Sequence, residues 1–393
     1  MRGTHGIGVA GVLAAVATLS AIEGARSADA LGQEIELGPP TAARAEPFGF
    51  IGGLRELSDG SVLVADPLGG ELVRLDPTLT SARKLGSEGE GPGEYRQPDS
   101  VWPIGPDRSL LVDLGNARLS EIGPDGSIGE GHPIARPSDG EGMAGMMLAV
   151  PSASDLDGHV YFRGSGMGPD GPRDTLDVFR LDLATGDAVR IAGVKGPELS
   201  VDNRGGENIS ISRVPLGPED AWGVAGDGTV FIARVGDFSM EVVSPDGSVR
   251  RGDPIDYRSV RIGTDEKLEW AEERARVGGI MVDIALDGSG ARRTQMSRAT
   301  GMRREIEGQS WPDAMPPFAT GVIRVDSLGR AWLRRSVAAG RPVTYDLFDR
   351  TGARVATVPL PEGRSLVAFG AGVVYLARTD EFDQQFLERY ELP

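Results

Sequence analysis

The sequence predicts an all-β fold: a six-bladed β-propeller whose N-terminal strand closes the last blade and whose ring carries one helical insertion. Three observations predict it. A unit of turn, apolar strand, loop, alternating strand and turn recurs six times. Gly and Pro number 57 and 27 of 393 residues, which suits a chain with many turns and stays below the level of a disordered one. The spacing between copies is irregular, which a solenoid tolerates poorly and a propeller absorbs in loops on its two faces.

The first copy runs from the turn Ser58-Asp59-Gly60 through Val62-Leu63-Val64-Ala65 to Leu72-Val73-Arg74-Leu75. The fourth matches it, with Gly226-Asp227-Gly228, Val230-Phe231-Ile232-Ala233 and Met240-Glu241-Val242-Val243. The others centre on Leu110-Leu111-Val112, Val160-Tyr161-Phe162, Ala331-Trp332-Leu333 and Val373-Val374-Tyr375-Leu376. The apolar strand of each copy reads as buried on both faces and the alternating strand as half-exposed, with Asp-Gly turns between them. The sixth copy ends at Pro393 with no room for an outer strand. Gln33-Glu34-Ile35-Glu36-Leu37 alternates correctly to supply one, so it is expected beside residues 386–392, which removes two free sheet edges. The alternative is a disordered N-terminus after cleavage.

Residues 1–30 read as a signal peptide: Arg2, then an apolar stretch over residues 7–22, then Ala28-Asp29-Ala30 as a cleavage site. That leaves 31–393 as the propeller and implies a periplasmic or secreted protein. The apolar stretch is short for a membrane span, though an uncleaved anchor is the alternative. No later segment reads as a span, and a monomer is expected.

Residues 256–315 interrupt the repeat. Thr264 to Val277 is predicted helical, opened by Thr264-Asp265-Glu266 and ended by Gly278-Gly279, with Leu268, Ala271 and Ala275 on one side. The remainder, with Arg292, Arg293, Arg298, Arg303 and Arg304, is basic and weakly patterned, either a lid or partner surface or a solvated excursion.

Composition excludes several functions. The net charge of −17 argues against nucleic acid as a partner. The absence of cysteine excludes disulfides, thiolate metal sites and cysteine nucleophiles. Three histidines, one of them (His5) in the leader, leave too few for a three-histidine zinc site. There is no G-x-S-x-G and no H-E-x-x-H.

Gly89-Glu90-Gly91-Pro92-Gly93-Glu94-Tyr95 with Pro98 resembles the linker of bacterial six-bladed propellers of the NHL/TolB-like group. Pro316-Pro317-Phe318 and Val325-Asp326-Ser327-Leu328-Gly329-Arg330 with the following Ala331-Trp332-Leu333-Arg334 resemble a fifth-blade signature of that group. The resemblance covers most of the mature chain and implies the fold, not a function. The linker glycines read as a strained crossover with Tyr95 packed back on the blade, since no P-loop lysine follows.

The loops after the second strands share a face with the interblade crossovers, the expected binding surface. Arg163, Arg234, Arg334, Arg335 and Arg378 fall near those strand ends, while the first two blades place Asp66 and Asp113 there. These arginines predict either an anionic ligand or acidic peptide at the rim, or structural ion pairs; the frequency of ion pairs at strand ends favours the second. Two functions remain. One is an exported ligand- or protein-binding propeller of the cell envelope, without catalytic motif or cofactor. The alternative is a Ca²⁺-dependent hydrolase or lactonase with Asp66, Asp99, Asp113, Asn116 and Asp220 as channel ligands.

Overall fold

The computed structural model describes residues 32–137, 146–164, 166–168, 171–203, 209–277, 280–286, 292–298 and 306–393. Residues 1–30, expected from the sequence to be a signal peptide, lie outside the described residues, as do Gly278, Gly279, Arg303 and Arg304.

Six sheets form the blades, five of them four-stranded and antiparallel and that of blade five five-stranded; strands run outward from the axis in chain order, except for the outermost strands of blades five and six, which come from the N-terminal segment. The first strands are Gly53–Glu56, Pro98–Pro103, Ala153–Ser154, Ala221–Val224, Arg324–Val325 and Arg364–Gly370. The second strands are Val62–Asp66, Ser109–Asp113, His159–Arg163, Val230–Arg234, Ala331–Arg334 and Val373–Thr379. First strands of neighbouring blades touch: blade one meets two and six, two meets three, three meets four and four meets five. The second strands are covered on both sides by adjacent blades, and every residue of Val62–Asp66 and Ser109–Asp113 is buried. In the third strand of the first blade, Glu71–Leu75, the apolar Leu72, Val73 and Leu75 are buried and the charged Glu71 and Arg74 half-buried.

The turns explain the repeated Asp-Gly signal. The Asp59 carboxylate accepts the Ser61 amide at 2.9 Å, and Gly60 takes φ +77°, a conformation open to glycine at no steric cost. Asp125 and Ser127, and Asp246 and Ser248, repeat the bond. In the linker, Gly93 has φ +78°, a Cβ at Gly89 would meet the Glu94 carboxylate at 2.0 Å, and Tyr95 is buried with its hydroxyl accepting the Leu72 amide at 3.0 Å.

Ring closure uses an N-terminal strand, but not the segment expected. Ala42–Ala43 is the outer strand of blade six, antiparallel with Ala42 opposite Arg389 and Ala43 opposite Glu388. Gln33–Glu34 instead adds a fifth, parallel strand to blade five, opposite Ala356 and Thr357. Ile35 and Leu37 then pack against the apolar cluster around Trp332 and Val358, so their alternation does mark half-burial. The pattern specifies a half-covered strand, not which of two adjacent edges it covers.

Among the described residues the insertion contributes one α-helix, α1 (Thr264–Val277), with the expected bounds. Glu266 caps it by accepting the Gly263 amide at 2.9 Å. Ala271 faces inward and is buried, whereas Leu268 is exposed. The helix is held over the loop after the second strand of blade five: the Gly340 amide donates to Glu269 at 2.8 Å, and Arg334 pairs with Glu273. Part of the weakly patterned remainder forms a hairpin, Ile280–Leu286 with Arg292–Arg298, which its basic composition did not predict.

Candidate functional site

The rim arginines are all neutralised. Arg234 donates to Asp220 at 2.9 Å, to Glu241 at 2.7 Å and to the Gly193 carbonyl at 2.8 Å. Arg335 holds Asp346, a fully buried carboxylate of the neighbouring third strand, with its Nε at 3.0 Å. Arg334 reaches Glu273 of α1, and Arg163 lies 3.7 Å from Glu219. Arg378 pairs with Glu388 at 3.3 Å and stacks 4.3 Å over the Phe386 ring. The chain thus alternates its device at one structural position. Blades one and two carry Asp at the second-strand end, and blades three to six carry Arg with a nearby acid. A cavity of about 320 Å³ lies on this face between α1 and blade five, but Arg334 and Arg335 at its wall already hold acids.

The candidate metal ligands are also engaged. Asp66 accepts the amides of Gly49, Phe50 and Gly69 at 2.8, 3.0 and 2.8 Å. Asp113 accepts the Gln97 amide at 3.0 Å and the Asn116 side-chain amide at 2.7 Å, while Asn116 also donates to the Gly89 carbonyl. Asp220 accepts the amides of Lys195 and Val235, both at 2.9 Å, besides Arg234. These carboxylates fasten crossovers in separate blades. Asp99 stands apart, half-buried on the first strand of blade two, where burial pushes its carboxyl above the usual range against the opposing Ser100 hydrogen bond. Among the described residues no three His, Asp or Glu side chains assemble as a metal site.

The space that all six blades share is the central channel, a cavity of about 450 Å³. It is walled by the first strands and by the turns that follow them, from Glu56, Pro106, Leu156 and Gly226 to Ser327 and Ala371. It therefore opens on the face opposite the rim arginines. Leu156 and Val322 at its wall are 44% and 50% exposed, so the mouth is apolar and reachable.

Four charged side chains line this cavity, and three are satisfied. Arg55 is buried and donates to the carbonyls of Gly105, Pro106 and Arg108 and to the Ser109 hydroxyl; burial pulls its guanidinium down to about 10. Glu56 accepts from the Tyr375 hydroxyl and the Ala371 amide. Asp326 accepts from Arg330 and from the Trp332 indole, both at 2.8 Å. The Arg324 side chain makes no hydrogen bond or ion pair with any described residue, and burial lowers its guanidinium from the ordinary arginine value. Beside it the Tyr345 hydroxyl is raised by burial, an effect tempered by the Arg334 and Arg324 charges. Sequence reasoning missed Arg324. A lone charge in the run Val322-Ile323-Arg324-Val325 was the available signal, but the sequence does not say which side of a first strand faces the axis.

Fold and channel together define the class: a six-bladed β-propeller with an accessible axial cavity. No family model matches the chain, and no curated protein matches it significantly. Solved structures similar in fold include a member of the DUF4221 family from Bacteroides vulgatus, at 11% identity and a TM-score of 0.48, covering 92% of this chain and 99% of that one. A gluconolactonase from Xanthomonas campestris follows at 12% identity and a TM-score of 0.39, covering 90% and 98%. Regucalcin, a calcium-binding protein from Agrobacterium tumefaciens, does so at 11% and 0.39, covering 92% and 98%. Among the described residues no helix is long and apolar enough to cross a membrane.

Proposed function

We propose that this chain is an exported binding propeller of the cell envelope that takes a small molecule into its central channel. The observation that carries the reading is the cavity itself: about 450 Å³, reachable, apolar at its mouth, with a few polar groups on rigid strands. That size and chemistry suit a drug-sized ligand. Export rests on the charged, apolar and Ala-x-Ala pattern of residues 1–30, and membership of the NHL/TolB-like group on the linker and fifth-blade motifs. The Ca²⁺-dependent hydrolase is the second choice, because Asp66, Asp113 and Asp220 have their oxygens committed to backbone amides. The same argument supports a structural role for the rim arginines.

The test is titration with N-phenyl-1-naphthylamine, a neutral dye that brightens in apolar cavities. Saturable binding at one site is expected, lost in Val322→Trp, which fills the channel mouth, and retained in Arg234→Ala. Binding that survives Val322→Trp, or no binding at all, refutes the channel as the site. Melting with Ca²⁺ and with a chelator addresses the alternative, since a resident ion stabilises the folded state by mass action.

A further inference from the structure

We infer that the channel selects an amphiphilic monoanion, with Arg324 gripping its single carboxylate or sulfonate and the apolar mouth holding its body. The inference rests on the channel reading above and adds the chemistry of the ligand.

The argument starts from the scarcity of basic residues. The chain has 58 acidic side chains against 41 Lys and Arg, so an arginine finds an acid easily. The rim arginines do so, and Arg55, in the same channel, fills its donors with carbonyls. Arg324 sits in the middle of the fold, half-buried at the cavity wall, and does neither. An unpaired guanidinium in that position costs the folded state solvation that nothing within the described protein restores. It stays charged, because arginine does not lose its proton in proteins. A carboxylate entering the channel supplies the missing partner through two parallel hydrogen bonds.

Trp102, Leu156, Val322 and Phe369 line the same cavity, and they offer an apolar body a surface to cover. They also exclude water from the ion pair, which strengthens it. Glu56 and Asp326 line the cavity too. Both are already hydrogen-bonded, so they bind no second group; Asp326 is neutralised by Arg330, while Glu56, held by neutral donors alone, leaves a negative charge that disfavours a second anionic group on the ligand. The combination selects one negative charge on an apolar frame, not a phosphate or a dicarboxylate.

The experiment is displacement of N-phenyl-1-naphthylamine by octanoate, octan-1-ol and octanedioate at neutral pH. Octanoate is expected to displace the dye at a concentration about tenfold lower than octan-1-ol, the worth of one charge-assisted contact. Octanedioate is expected to compete less well than octanoate. Arg324→Met is expected to erase the preference for octanoate and to melt at or above the wild-type temperature, since it removes an uncompensated charge and keeps the length. Equal displacement by octanoate and octan-1-ol overturns the inference while leaving the channel reading intact; absence of dye binding overturns the channel reading itself. A melting temperature for Arg324→Met several degrees below wild type also overturns it, because the guanidinium is then structural.

Discussion

The Tyr375 hydroxyl donates a hydrogen bond to the Glu56 carboxylate, joining the second strand of the last blade to the first strand of the first across 319 positions of sequence. The other Glu56 oxygen accepts the Ala371 amide at 2.9 Å. The ring is therefore latched twice, at the axis by Glu56 and at the outer edge by Ala42–Ala43. Tyr375→Phe keeps the buried ring but strands one carboxylate oxygen, so it is expected to cost about 1–2 kcal/mol in urea unfolding. Glu56→Ala, which loses both bonds, is expected to cost more.

The Arg335–Asp346 pair carries the next expectation. Asp346 is fully buried, and its other cation, Arg354, stands farther off at 3.8 Å. Arg335→Ala leaves that carboxylate undercompensated. Because Arg335 is itself partly exposed, the loss is expected at about 2 kcal/mol, below that of a fully buried pair. Arg335→Ala with Asp346→Ala should recover part of it in a double-mutant cycle, and dye binding in the channel should not change in either variant.

Close approach of first strands tests the ring geometry. A Cβ on Gly223 would lie 1.9 Å from the Ile323 carbonyl oxygen, where blades four and five touch. The Ile323 amide donates to the Trp222 carbonyl at 3.0 Å, so the two backbones are tied at this point. Gly223→Ala must push these blades apart, and a loss of about 3 kcal/mol is expected by thermal or chemical melting. Gly236, with nothing within 4 Å of its added Cβ, is the control position.

Acid stability follows from the turns. Asp59 lies below its ordinary 3.8, first through the Ser61 hydroxyl and amide, and Asp237 through the Ser239 hydroxyl. A carboxyl whose folded value is depressed stabilises the fold above its unfolded value, and that contribution disappears as pH falls through the folded one. Melting temperature is thus expected to fall below about pH 4. Asp99 has the opposite sign, because burial raises its carboxyl and its ionisation disfavours the fold. Asp99→Asn is expected to melt higher than wild type at pH 7, and the gap should close as acid protonates Asp99.

What the sequence determined by itself was everything set by neighbours along the chain. Residues 264–277 declared a helix through their capping acids, and Val62–Asp66 and Val230–Arg234 declared buried strands through unbroken apolar runs between Asp-Gly turns. The six copies, and hence the ring, followed from those local signals. Tertiary structure alone decided the pairings that span the chain. Ile35 and Leu37 are marked as half-buried by their alternation, yet Gln33–Glu34 joins blade five, and Ala42–Ala43, too short and small to show a period, closes blade six. Arg335 and Arg324 are eleven residues apart and read alike as letters. One turns to a buried acid on the adjacent strand and the other to the channel, because the partner of a charge is set by which strands the closed ring brings together, and no local pattern encodes that.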